Sequence, residues 1–233
     1  MLEAYLFAAG EGSSPEQALQ AALSRVGGRL QWIEELVWLG GLAPALSQPA
    51  LSLPDQPGLD HFVLNALLRQ LLSGERQFLA LGQTCAGSSL ALLLGGPAAV
   101  GRRNLLPRAR LQPAPALPAD PAALADALEA FVLSLAETPP LPEPSEEDKP
   151  LIISPAKPPP LPIPPLKIPV VSLLALRGVE RPVLPAARRL DRAPGALFAM
   201  AELARALETG REEWGGLCST LETASLLTLL ERL

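Results

Sequence analysis

Apolar residues along this chain fall into two rhythms, short unbroken runs and stretches where they recur every three or four positions. The run Ala4 to Ala8 reads as a strand. Ser14-Pro15-Glu16-Gln17 then gives a helix start, with Ser as N-cap, Pro at the first helical position and Gln three residues on in capping-box spacing. Leu19, Ala22, Leu23 and Val26 follow at helical spacing, and Gly27-Gly28 stops the helix. Trp32 to Leu39 reads as a strand. A second helix is predicted from about Asp60 to Ser73, with Leu64, Leu67, Leu68, Leu71 and Leu72 on its buried face and Gly74 ending it.

From Gln77 to Gly101 the chain carries no charge, and Arg102-Arg103 follows directly. A membrane span is the reading to test here. Interruption by Gln83, Thr84, Ser88, Ser89, Pro97 and several glycines favours two buried strands instead, Phe78 to Leu81 and Leu90 to Leu94. Pro97 to Arg103 suggests a short helix, Ala109 to Leu111 a strand, and Asp120-Pro121 caps a helix reaching about Ala136. Val170 to Leu176 is a further predicted strand, then a helix over Gly195 to Thr209 stopped by Gly210, then a last strand over Leu226 to Leu230. Strands alternating with helices at this scale predict an α/β protein.

The pattern breaks between Pro139 and Pro169, which hold 13 of the chain's 27 prolines and the acidic patch Glu143, Glu146, Glu147 and Asp148. Proline removes backbone donors and favours extended polyproline II, so this tract is expected to be a linker or strap. Within it, Lys157-Pro158-Pro159-Pro160-Leu161-Pro162 has the form of an SH3-type ligand, although a stiff spacer is the simpler reading.

Composition narrows the function. A length of 233 residues with 48% hydrophobic content supports a large core. A net charge of -5 and 4% aromatic content argue against nucleic acid, whose recognition starts from phosphate neutralisation, and against anionic membranes. Two distant cysteines, Cys85 and Cys218, and one histidine, His61, make no zinc-ligand set. No metal or resident cofactor is therefore expected. The N-terminus lacks a secretory pattern, leaving the cytoplasm as the expected compartment. Gly40-Gly41 and Gly95-Gly96 lack a phosphate-cradling context. His61, at the start of a predicted helix, is expected to be partly exposed. Cys218 reads most simply as a small apolar residue in or near the last strand. Cys85, in Thr84-Cys85-Ala86-Gly87-Ser88, reads as part of a small-residue loop, since no base or acid stands beside it in sequence.

Several segments, in order, resemble one known family. Leu190-Asp191-Arg192-Ala193-Pro194-Gly195-Ala196 lies on a pattern LGHPLGA, and Cys218 on a later cysteine, with Ser219, Thr220 and Leu221 where glycines would follow. Leu71 to Gly82 looks like a helix ending IRAG-E and a strand VVLAGG. Ser89 to Leu94, Pro97 to Val100 and Leu105 to Leu111 look like DGAAALLL, a helix, and GLKPLARI. The Ser14 to Gly41 helix and strand would match the first helix and following strand. These segments resemble the thiolases, and Gly195-Ala196-Leu197 suits the related ketoacyl synthases equally.

The resemblance implies a reduced, layered thiolase-like α/β fold. It divides the chain into an N-terminal part over 1–112, a connecting helix over 113–138, the proline-rich linker over 139–169 and a C-terminal part over 170–233. Thiolases are much longer, so the loop insertion and the start of the second half are expected to be missing, with the proline-rich tract in their place. It also implies a site: an acyl-accepting cysteine at the start of a buried helix, a histidine that activates it and a second cysteine that moves the substrate proton. Here the first position falls at about Pro57, the histidine falls on Arg192, and only Cys218 matches. An arginine stays protonated and cannot serve as base. The implied function is a catalytically degenerate relative, a homodimer or a heterodimer with an active thiolase or ketoacyl synthase, with a CoA thioester as possible ligand. An acyl-CoA transferase using Cys218 or Cys85, and a proline-rich interaction protein, stand as alternatives.

Overall fold

The computed structural model describes residues 3–40, 50–54, 56, 58–114, 117–136, 171–177, 188–189, 194–220 and 225–233. Pro57, Arg192 and the Pro139 to Pro169 tract lie outside the described residues.

The elements form two repeats of one order. The first is β1 (Ala4–Gly12), α1 (Pro15–Arg25), β2 (Glu35–Leu39), β3 (Ala50–Leu53), α2 (Leu59–Ser73), β4 (Phe78–Cys85) and β5 (Ser88–Gly95). After α3 (Pro97–Arg103) come β6 (Ala109–Pro113), α4 (Pro121–Ala136), β7 (Val171–Arg177), β8 (Arg188–Arg189), α5 (Ala196–Thr209), β9 (Trp214–Thr220) and β10 (Ser225–Arg232). Pairing repeats as well. β2 lies parallel to β3 and β4, while β5 is antiparallel to β4 and β1. In the second repeat β7 lies parallel to β8 and β9, while β10 is antiparallel to β9 and β6. The sheet order is β3-β2-β4-β5-β1-β6-β10-β9-β7-β8, and β1 and β6 join the halves through Ala4, Tyr5 and Leu6 against Leu111, Arg110 and Ala109. The expectation that the start of the second half is missing is corrected: β6, α4 and β7 supply it.

Local chemistry accounts for most element ends. Ser14 caps α1, its side chain accepting from Gln17 N. The expected reciprocal bond is displaced by one residue, because Gln17 Oε1 accepts from Ser13 N at 3.1 Å. Trp32 ends a short 3-10 turn, so β2 starts later than the apolar run suggests. Gly74, at φ 79, ends α2, and Asp120 Oδ2 accepts from Ala123 N at the start of α4. The uncharged segment forms the β4–β5 hairpin, turned at Ala86 (φ 50) and Gly87 (φ 80), the left-handed pair that a two-residue turn requires. Among the described residues no helix is long and apolar enough to cross a membrane.

Strand alternation assigns side chains to layers. One core joins Leu79, Leu81, Leu90, Leu92 and Leu94 of the first half, and Leu111, Leu217 and Leu230 of the second, to α2 and α5. The opposite face of the first half, with Phe7, Leu36, Trp38, Phe78 and Leu93, packs on α1. The opposite face of the second, with Trp214, Cys218, Leu227 and Leu229, packs on Leu124 and Leu128 of α4. The layers therefore run α1, the first half of this continuous sheet (β1 to β5, the first sheet), α2 with α5, its second half (β6 to β10, the second sheet), α4. The two central helices contact each other and both halves.

Candidate functional site

The N-terminal turns of α2 and α5 meet in the central layer around a cluster of buried polar side chains. Asp60, His61 and Asn65 come from α2, Gln83 from β4 and Thr228 from β10. Asp60 is the second residue of α2, where a carboxylate suits the positive end of the helix. Its Oδ1 accepts from His61 N at 2.9 Å. Its Oδ2 accepts from Ala196 N, the first residue of α5, at 2.6 Å, and from Gln83 Nε2 at 3.1 Å. One carboxyl group thus holds the ends of both central helices and a strand of the first sheet. Hydrogen bonds to charged groups contribute about 1.5–3 kcal/mol each, and leaving such a group buried without them costs more.

His61 corrects the sequence expectation. It is 0% exposed, not partly exposed, because Asp60 and His61 continue the buried face of α2 toward the centre. Its Nε2 lies 3.0 Å from Thr228 Oγ1. The Thr228 hydroxyl donates to Asn65 Oδ1, so its single proton is spent and it accepts from Nε2–H. Asn65 Nδ2 in turn donates to Leu227 O at 3.5 Å. This chain of bonds fixes the imidazole between the halves.

The cysteines lie apart. Cys218 is on β9, pairing with Leu227 of β10, and faces α4 on the outer side of the second sheet. The sheet separates it from the polar cluster. It is 1% exposed, and burial pushes its thiol from the ordinary 9.0 up to about 12. Cys85 ends β4 on the inner face with Leu81 and Gln83, half-buried, its Sγ donating to Pro194 O at 3.6 Å beside the start of α5. Of the two, only Cys85 approaches the helix ends. Pro57 and Arg192, the positions that the resemblance matches to the nucleophile and the histidine, lie outside the described residues.

Gly195 allows the close approach at α5. An ideal Cβ there would sit 2.1 Å from Gln83 Oε1 and 2.5 Å from Gln83 Cδ, so the amide of Gln83 lies directly against the backbone. Among the described residues no cluster of His, Cys, Asp and Glu is arranged to hold a metal.

Two repeats of identical topology, stacked in five alternating layers with paired central helices, decide the fold family. The chain has the thiolase-like fold. Human mitochondrial 3-ketoacyl-CoA thiolase superimposes with a TM-score of 0.62 at 9% identity, over 99% of this chain and 99% of that one. It has also been solved in complex with CoA. The peroxisomal 3-ketoacyl-CoA thiolase of Saccharomyces cerevisiae, described as five-layered and built from two core domains of identical topology, matches at 0.60 and 8% identity over 99% and 98% of the two chains. A 3-oxoacyl-(acyl carrier protein) synthase III from Xanthomonas oryzae matches at 0.54 and 9% identity over 99% and 100%. No family model matches the sequence, and no curated protein matches it by sequence. The thiolase-like frame is thus shared with both enzyme branches, and the fold alone is what these similarities establish.

Proposed function

We propose that this thiolase-like chain is a non-catalytic member of its fold family that acts by association, pairing with itself or with an active thiolase or ketoacyl synthase. The observation that carries the reading is the position of Cys218. The one residue matched to a family catalytic group faces α4, behind the second sheet, with its thiol held protonated by burial. A proton-transfer group must reach the reacting atoms within hydrogen-bond distance. From the outer layer Cys218 does not reach the ends of α2 and α5.

Association has support of its own. β3 is the terminal strand of the sheet order, and its Leu51 is 52% exposed. A short apolar edge strand is a template for pairing with another chain. Phe62 is 57% exposed although α2 otherwise forms the central layer. Purified alone and with an active thiolase, the protein is expected to elute as a dimer or a mixed complex. Leu51→Asp with Phe62→Asp should shift it to monomer. A wild-type chain that stays monomeric and ignores every such partner refutes the proposal.

One observation favours a second reading, an acyl-CoA transferase: Cys85 lies beside the start of α5 on the inner face. CoA thioesters are the ligand class this reading needs. It predicts a thioester adduct, seen by intact mass, that Cys85→Ala abolishes. Absence of an adduct with acyl-CoA rejects it.

A further inference from the structure

A helix N-terminus ends in N–H groups without intrahelical partners and attracts anions. In α5 that end is already occupied, by a carboxyl from the other repeat. Ala196 N donates to Asp60 Oδ2 at 2.6 Å, within the range of charge-assisted bonds. Asp60 is 2% exposed and stands with His61 and Asn65 at the polar start of a layer that is elsewhere filled by leucine, alanine and methionine. The residue before the helix, Gly195, is packed against Gln83, and the Gln83 amide donates to the same Oδ2. The backbone of α5, the strand β4 and the first turn of α2 are therefore all shaped around one carboxyl group.

We infer that Asp60 is a built-in anion, occupying the place at the start of α5 where a small carboxylate or an oxyanion from solution would otherwise bind, and closing the central site while bracing the two repeats. The brace does not depend on whether the chain turns over a substrate. An enzyme working through Cys85 would need α5 in this position, and a non-catalytic partner would need the layer closed. Removing the carboxyl should leave an anion-sized gap lined by Ala196 N and Gln83 Nε2, which a small carboxylate can fill.

Asp60→Ala with sodium formate as the probe tests this. Its thermal midpoint should rise saturably with formate above the rise given by equal sodium chloride. Wild type and Leu64→Ala, which opens a cavity but keeps the Asp60 carboxyl, should not distinguish the two salts. Amide exchange at Ala196 should be about tenfold faster in the variant and slow again with formate, the factor expected when a charge-assisted bond is lost. Equal responses to formate and chloride, or unchanged exchange at Ala196, overturn the inference. If Asp60→Ala does not fold, Asp60→Asn keeps the shape without the charge. Exchange at Ala196 should then rise about tenfold relative to Leu92, and an unchanged ratio overturns the inference equally.

Discussion

Native-state thiol labelling of Cys218 gives the sharpest test of the site as described. Only the thiolate attacks an alkylating agent or an acyl thioester. At pH about 7.5 an ordinary thiol with a pKa near 9 is about 3% ionised, while one near 12 is about 0.003% ionised, a difference of about a thousandfold. Burial pushes Cys218 up to about 12, and its 1% exposure slows reagent access further. Cys85, half-buried at the hairpin, serves as the internal reference. Folded protein treated with iodoacetamide should therefore take up one label per chain, located by peptide mapping at Cys85. The second should appear at least about a thousandfold more slowly than on a free peptide, and promptly in denaturant. Cys218 labelled within tenfold of Cys85 under native conditions would refute the outer-layer placement and the reading that rests on it. A Cys218 adduct from acyl-CoA would do the same.

The remaining predictions concern packing and the seam between the repeats. An ideal Cβ on Gly10 would lie 2.2 Å from Ala22 N and 2.3 Å from Ala18 O, both α1 backbone, so Gly10→Ala must push α1 off the sheet. A cost of about 3 kcal/mol, or about 6–12 °C in Tm, is expected by thermal denaturation. Gly101→Ala meets nothing within 4 Å inside α3 and should stabilise by about 0.5–1 kcal/mol. Equal effects would refute the packing argument. At the seam, the Tyr5 hydroxyl, and behind it Arg110, holds the Glu3 carboxyl below its ordinary 4.5. A carboxyl depressed in the folded state contributes stability above the unfolded pKa and loses it as pH falls through the folded one. The unfolding free energy of Glu3→Gln should accordingly be flatter with pH below about 4.5 than that of wild type, as followed by denaturant titration. A slope identical to wild type there contradicts the account.

Sequence periodicity located twelve of the fifteen strands and helices among the described residues, all but β3, β8 and β9, and the ordered family resemblance pointed to the layered fold. What it left unread has physical causes. β3 is a four-residue edge strand whose ALSL sequence buries little, and β9 carries Gly215 and Gly216, which weaken any strand signal. His61 was misread because a helix start normally faces water, whereas here the first turn of α2 points into the centre of the molecule. A signal was present: Asp60 stands four residues before Leu64 and eight before Leu68, in line with the buried stripe, and Gln83 continues the inward alternation of Leu79 and Leu81. Those polar residues at core positions marked the site, although nothing in the sequence told where their partners lay.

By itself the sequence determined the local elements, because caps, turn residues and apolar spacing act over a few positions. It also carried the resemblance, which implies the positions Pro57 and Arg192 for a nucleophile and a histidine, an expectation on residues outside those described. Only the tertiary structure decided which side chains meet. The contacts of Asp60 with Ala196 and of His61 with Thr228 join residues far apart in the chain, and they exist because the two repeats stack their central helices end against end. The same stacking sends Cys218 outward and Cys85 inward, since a strand residue's face is fixed by its register in the sheet rather than by its neighbours in sequence.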